Sequence, residues 1–159
     1  MNLIKIARSI VVLSTGLIAG IFVGILATEP ARFSLDLPNF VRLQQGIHVY
    51  YKIMMPPLVI TAILSGIVWL FLLRKEWRST AFLLAAVATT GSIAAFALTI
   101  IVNYPLNDLL MTWNAATPPA NAMELWLTWE RAHLIRTAIF VVAFVSAILA
   151  ISVDRKKLS

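Results

Sequence analysis

Charge is distributed very unevenly along this chain, and four long stretches contain no Asp, Glu, Lys or Arg at all: 9–28, 53–73, 79–107 and 137–153. A hydrocarbon core about 30 Å thick is crossed by ~20 helical residues, so each stretch is long enough to span once. Backbone groups in lipid must be hydrogen-bonded internally, which an open sheet cannot do. The sequence therefore predicts an all-α integral membrane four-helix bundle, a single transmembrane domain over 1–159 with spans near 9–28, 40–73, 79–103 and 122–153. Composition agrees, with 60% hydrophobic and only 13% charged residues, against about 25% charged in soluble domains.

The first apolar stretch follows Lys5 and Arg8, as a leader peptide would. Its length and the lack of a small-x-small cleavage site make it a span instead. Gly16, Gly20 and Gly24 recur on it at intervals of four, a ridge suited to close helix approach and to a homo-oligomer contact. Cationic residues gather before the first span, between the second and third (Arg74, Lys75, Arg78) and after the fourth (Arg155, Lys156, Lys157), whereas 104–122 has none. The positive-inside rule then places both termini in the cytoplasm of a plasma (inner) membrane protein, with longer connections at 29–40 and 104–122 facing outward. The net charge of +6 is thereby a topology signal that calls for no nucleic acid. Pro30, Pro38, Pro105, Pro118 and Pro119 mark the outward connections as loops. The second helix is expected to start near Asn39 and to bend at Pro56–Pro57.

With no cysteine, any chemistry must come from two histidines and a few carboxylates and amides. Gln45, His48 and Lys52 share a helical face, as do Glu130, His133 and Thr137. At ~1.5 Å per residue, Glu29, His48, Asn103 and His133 all lie roughly 31–39 Å from the inner charge bounding their helix. Four spans thus bring polar groups to one level, beside Trp113, Trp126 and Trp129. The bland reading has Arg32, Arg42, Lys52 and Arg136 snorkelling to headgroups. It accounts poorly for Glu130, His48 and His133, since ionisable groups in spans mark functional sites.

Glu-x-x-His at 130 and 133 is the spacing with which one helix offers two inward metal ligands. With Glu29 and His48 it makes a four-residue set suited to one transition metal, copper or iron, supported by Gln45, Asn103 and Arg136. Bis-histidine haem on His48 and His133 is a weaker reading, because acidic and amide neighbours suit a polar pocket better than a porphyrin.

Asn103-Tyr104-Pro105-Leu106-Asn107, then Trp113, then Trp129-Glu130-Arg131-Ala132-His133-Leu134-Ile135-Arg136-Thr137, together with the Gly-rich first helix and Gln44-Gln45…His48…Met55-Pro56, resemble the anthrone oxygenase-like family of small four-helix membrane proteins. The resemblance implies an oxygenase, an oxidoreductase acting on a small aromatic, anthrone-like substrate. In that setting His48 or His133 suits the role of base, and Arg131 or Arg136 that of a clamp for a developing oxyanion. Asn103 and Asn107 are expected to hydrogen-bond substrate oxygens, with Gln45 and Trp129 beside them. The competing reading is a non-enzymatic accessory protein that holds a quinone or lipid in the same pocket.

Overall fold

The computed structural model describes residues 3–155 and the side chains of 3–153; Arg155, Lys156 and Lys157, invoked for topology, fall outside the described side chains. The order is α1 (Leu3–Ala27), α2 (Glu29–Phe33), α3 (Leu37–Leu73), a 3-10 turn (Arg74–Glu76), α4 (Thr80–Leu98), a π-helical turn (Thr99–Asn103), α5 (Tyr104–Thr112) and α6 (Ala122–Arg155). Four segments are long and apolar enough to cross a membrane: Leu3–Ala27, Leu37–Glu76, Thr80–Thr112 and Ala122–Val153. This is a multi-pass membrane four-helix bundle. Around it α1 packs on α3 and α6, and α4 packs on the same two, so α3 and α6 stand on a diagonal.

The expected loops are mostly helix. Pro30 and Pro38 sit in the second position of α2 and α3, where a missing N–H costs nothing because that donor has no intrahelical partner, whereas Pro105 follows the π-helical turn inside the continuous helical segment Thr80–Thr112. Of 29–40 only 34–36 lies between helices, and of 104–122 only 113–121 does. Pro30 and Pro38 start helices instead of breaking them, and the widened turn before Pro105 carries the helix through it. The start of α3 is fixed by Asp36, whose carboxylate accepts from the Asn39 N–H at 2.9 Å, so His48 is helical as expected and Pro56–Pro57 lie inside the helix.

Ser14, Thr15, Thr89, Ser92 and Thr99 donate to the carbonyl four residues earlier at 2.6–2.8 Å, which lets hydroxyls sit in an apolar span. Between α4 and α6 the packing is alanine on alanine, through Ala85, Ala88, Ala143, Ala147 and Ala150. The glycine ridge of α1 is divided. A Cβ on Gly16 would come within 2.7 Å of Phe144 on α6, whereas Gly20 and Gly24 face open space. Gly66 is the tightest approach, with Thr89 Oγ1 2.5 Å from where its Cβ would be. Overpacking of this kind costs ~1–3 kcal/mol. Gly66→Ala is expected to lower resistance to denaturation in a detergent unfolding titration by that amount, with Gly46→Ala, which meets nothing within 4 Å, close to neutral.

Candidate functional site

At the end of the bundle away from the chain termini, an internal cavity of about 460 Å³ opens between the helices, a size typical of small-molecule sites. Its walls are aromatic, from Phe22, Phe96, Trp126, Trp129 and Phe140, and Arg32, Gln44, His48, Tyr104, Asn107 and Arg136 bring polar atoms into it. Beyond the cavity, Phe40, Val41, Leu110, Trp113, Ala122, Trp126 and Trp129 form a closed apolar cluster, none of them more than 9% exposed.

Neither buried arginine snorkels: Arg32 is 5% exposed and Arg136 6%. Arg32 Nη1 donates to Glu130 Oε1 at 2.7 Å, in an ion pair buried on both sides. Its Nη2 donates to the Ile25 carbonyl at 3.0 Å, and Trp126 Nε1 donates to the same Glu130 oxygen at 2.9 Å. Breaking a buried pair strands a charge at a cost of about 3–5 kcal/mol. Glu130→Leu is therefore expected to lose stability on that scale in thermal unfolding of the purified protein, and Glu130→Gln less, since it keeps an acceptor.

Arg136 is held differently. Its Nε donates to His133 Nδ1 at 3.1 Å and its Nη1 to Thr99 Oγ1 at 3.2 Å. The guanidinium lies over the rings of Phe22 and Trp129, at 4.5 and 5.1 Å. Among the described residues no carboxylate lies within salt-bridge distance of it. A cation so placed, at the wall of a low-dielectric cavity, favours an anionic oxygen there.

His133 is fully buried, with both ring nitrogens engaged: Nε2 contacts the Phe22 carbonyl at 3.2 Å while Nδ1 accepts from Arg136. A carbonyl only accepts and the arginine Nε–H only donates, so the partners specify the Nε2–H tautomer. This imidazole buttresses Arg136. To act as a metal ligand, a haem ligand or a base it would have to give up one of these bonds. His48 is the reverse case, 8% exposed, lining the cavity, with a buried Nε2 that no protein group partners.

The metal quartet does not assemble. Among the described residues, no three His, Cys, Asp or Glu side chains come together in a way that could hold a metal ion. Glu29 is half-buried in the first turn of α2 and does not line the cavity. Glu130 turns to Arg32 and His133 to Arg136. Equal depth along four helices leaves their rotation free, and rotation separates these groups.

Three amide and cation assignments also change. Gln45 Nε2 donates to the Leu110 and Trp113 carbonyls at 2.9 and 3.0 Å, tying the end of α5 to α3, while its neighbour Gln44 lines the cavity. Arg131 is exposed and outside the cavity. Asn103 donates from Nδ2 to the Trp129 carbonyl at 3.1 Å and lies behind the wall. The π turn carrying it, with the Tyr104 N–H bonded to the Thr99 carbonyl, precedes Pro105, whose ring would clash in an unwidened helix. Such turns recur at functional sites, and Tyr104 and Asn107 beyond it do line the cavity. Trp129 does as well.

Sequence reasoning missed Arg32 and Gln44 as site residues. Arg32 looked like a headgroup contact, and only its partner 98 residues away distinguishes it. Gln44 stands four residues before His48, a usable signal, but Gln45 shared a similar spacing.

Four apolar spans around an aromatic-walled cavity, with a buried guanidinium that has no carboxylate within salt-bridge distance among the described residues, define a multi-pass membrane protein with an internal cavity of small-molecule size. The sequence model of the anthrone oxygenase family matches residues 47–146, which hold α3 from the end of its third turn onward and most of α6. The chain belongs to the anthrone oxygenase family. No curated protein and no solved structure matches it.

Proposed function

We propose that the protein is a membrane oxygenase that oxidises the activated methylene of an anthrone-like tricyclic aromatic to a ketone, with His48 as base and Arg136 as oxyanion clamp. One observation carries this reading. His48, with its unpartnered Nε2 on α3, and Arg136 on α6 line one cavity from diagonal helices. The carbonyl and the methylene of an anthrone likewise stand opposite each other across its central ring.

Between aromatic walls the ring system is bound by area burial and by stacking or edge contacts. The His48 imidazole takes a methylene proton, and the electron pair left behind delocalises onto the carbonyl oxygen. Arg136 stabilises that charge in a water-poor site, where such stabilisation is largest. Tyr104 and Asn107 supply hydrogen bonds to ring oxygens. Dioxygen accepts the carbon electrons and forms a C–O bond, and the peroxide is protonated to a hydroperoxide. Removal of the second methylene hydrogen as a proton then breaks the O–O bond, leaving a ketone and releasing water. One anthrone and one O₂ give one anthraquinone and one H₂O, with no other oxidant.

By the positive-inside rule the cavity end faces away from the cytoplasm. The test is oxygen uptake and anthraquinone formation by purified protein in lipid nanodiscs. Expected is one O₂ consumed per anthrone, undiminished after dialysis against a strong chelator, since no step here asks for a metal. Absence of turnover, with a quinone extracted from the purified protein, would favour the accessory-protein reading.

A further inference from the structure

We propose that the ligand enters this cavity sideways from the bilayer, through a gap along α1 at Gly24 and Thr28. The inference rests on the reading of the cavity as a site for a flat hydrophobic molecule, and concerns the route such a molecule takes. Buried apolar clusters pack at both axial ends. Above the cavity stands the Trp113–Trp126–Trp129 cluster with Phe40 and Leu110, braced by the Gln45 bonds to α5. Below it Ile18, Phe22, Val59, Ala62, Ala95 and Phe140 fill the bundle. The flank is different. Of the residues lining the cavity, Gly24 in the last turn of α1 and Thr28 just beyond its end are exposed.

Gly24 is what keeps the gap open. A Cβ there would meet nothing within 4 Å, so no neighbouring side chain fills the place. An α-helix repeats on one face every three or four residues, and the face carrying Gly24 and Thr28 also carries Ile21 and Ile25 into the cavity wall. A bulkier residue at 24 would stand in the opening, whereas Gly20, one turn away, also meets nothing within 4 Å and does not border the cavity. Lys52 on α3 is the remaining exposed lining residue and marks the competing route. A planar tricycle partitions strongly into lipid, because each buried CH₂-sized unit favours transfer by ~0.8 kcal/mol, so the flank faces the phase in which it is dissolved.

The chain has no cysteine, which makes the route directly readable. Gly24→Cys, Gly20→Cys and Lys52→Cys proteins in lipid vesicles are each modified with a bulky lipid-soluble maleimide. The rate at which vesicle-dissolved anthraquinone quenches the tryptophans is then followed by stopped flow, Trp126 and Trp129 being in the cavity wall. Expected is at least tenfold slower quenching after modification at residue 24, with less than twofold change at 20 and at 52. Slowing at 52 but not at 24, or equal rates at all three, would overturn the flank route. Slow quenching at 24 in a protein that never oxidises an anthrone would count against the oxygenase reading and still support this route.

Discussion

Replacing His48 by glutamine is expected to lower the rate of anthrone oxidation by about 10²–10⁴, the usual contribution of a positioned general base, while anthraquinone still binds within about threefold of the unsubstituted affinity. The reason is geometric. His48 lines the cavity and its Nε2 has no protein partner, whereas both nitrogens of His133 are occupied. Glutamine keeps a polar side chain of similar reach but accepts no proton, so binding and proton transfer separate. Single-turnover absorbance at saturating anthrone reads the chemistry, and tryptophan quenching by anthraquinone reads the binding. Equal losses from His48→Gln and His133→Gln in the chemical step, with folding intact, would shift the base away from His48.

Arg136→Met is expected to lower turnover by about 10²–10³, the scale for losing a preorganised oxyanion donor, and to leave helix content unchanged. Methionine fills similar volume between the Phe22 and Trp129 rings that now flank the guanidinium. Arg136 has no carboxylate partner among the described residues, so its loss strands no buried counter-charge, and folding should suffer less than in Glu130→Leu. The pair of variants thus separates two arginines that look alike in the sequence. One guanidinium is neutralised by Glu130 and holds α2 against α6. The other lines the cavity, with no carboxylate within salt-bridge distance among the described residues. Circular dichroism with anthrone kinetics on both variants checks the contrast. A stability loss in Arg136→Met as large as in Glu130→Leu would assign both arginines to structure.

The spans were legible because lipid leaves a chain few choices: uncharged stretches of about 20 residues become helices that satisfy their own backbone. The level of the site was legible for the same reason, since rise per residue is fixed and the bounding charges mark a common reference. Rotation was not. Each residue turns a helix by about 100°, so Gln44 faces the cavity and Gln45 does not, though both lie at the depth of the site. Partner choice was hidden as well. Nothing near Glu130 in sequence announces Arg32, and nothing near His133 announces the Phe22 carbonyl that occupies it. Pro118 and Pro119 do lie in the connection 113–121, but Pro30 and Pro38 were misread because the same ring that breaks a helix interior suits its first turn, and only the chain on either side decides which.

The central claim is that one cavity holds a tricyclic aromatic with its carbonyl at Arg136 and its methylene at His48. The measurement that tests it most directly is the structure of the protein with an anthrone bound in the absence of oxygen, where the reaction stops at the substrate complex. Expected are the ring system between Phe22, Trp129 and Phe140, the carbonyl oxygen at hydrogen-bond distance from the Arg136 guanidinium, and the methylene carbon within ~3–3.5 Å of a His48 ring nitrogen. An anthrone lying outside the cavity, or inside it with the methylene turned away from His48, would contradict the account.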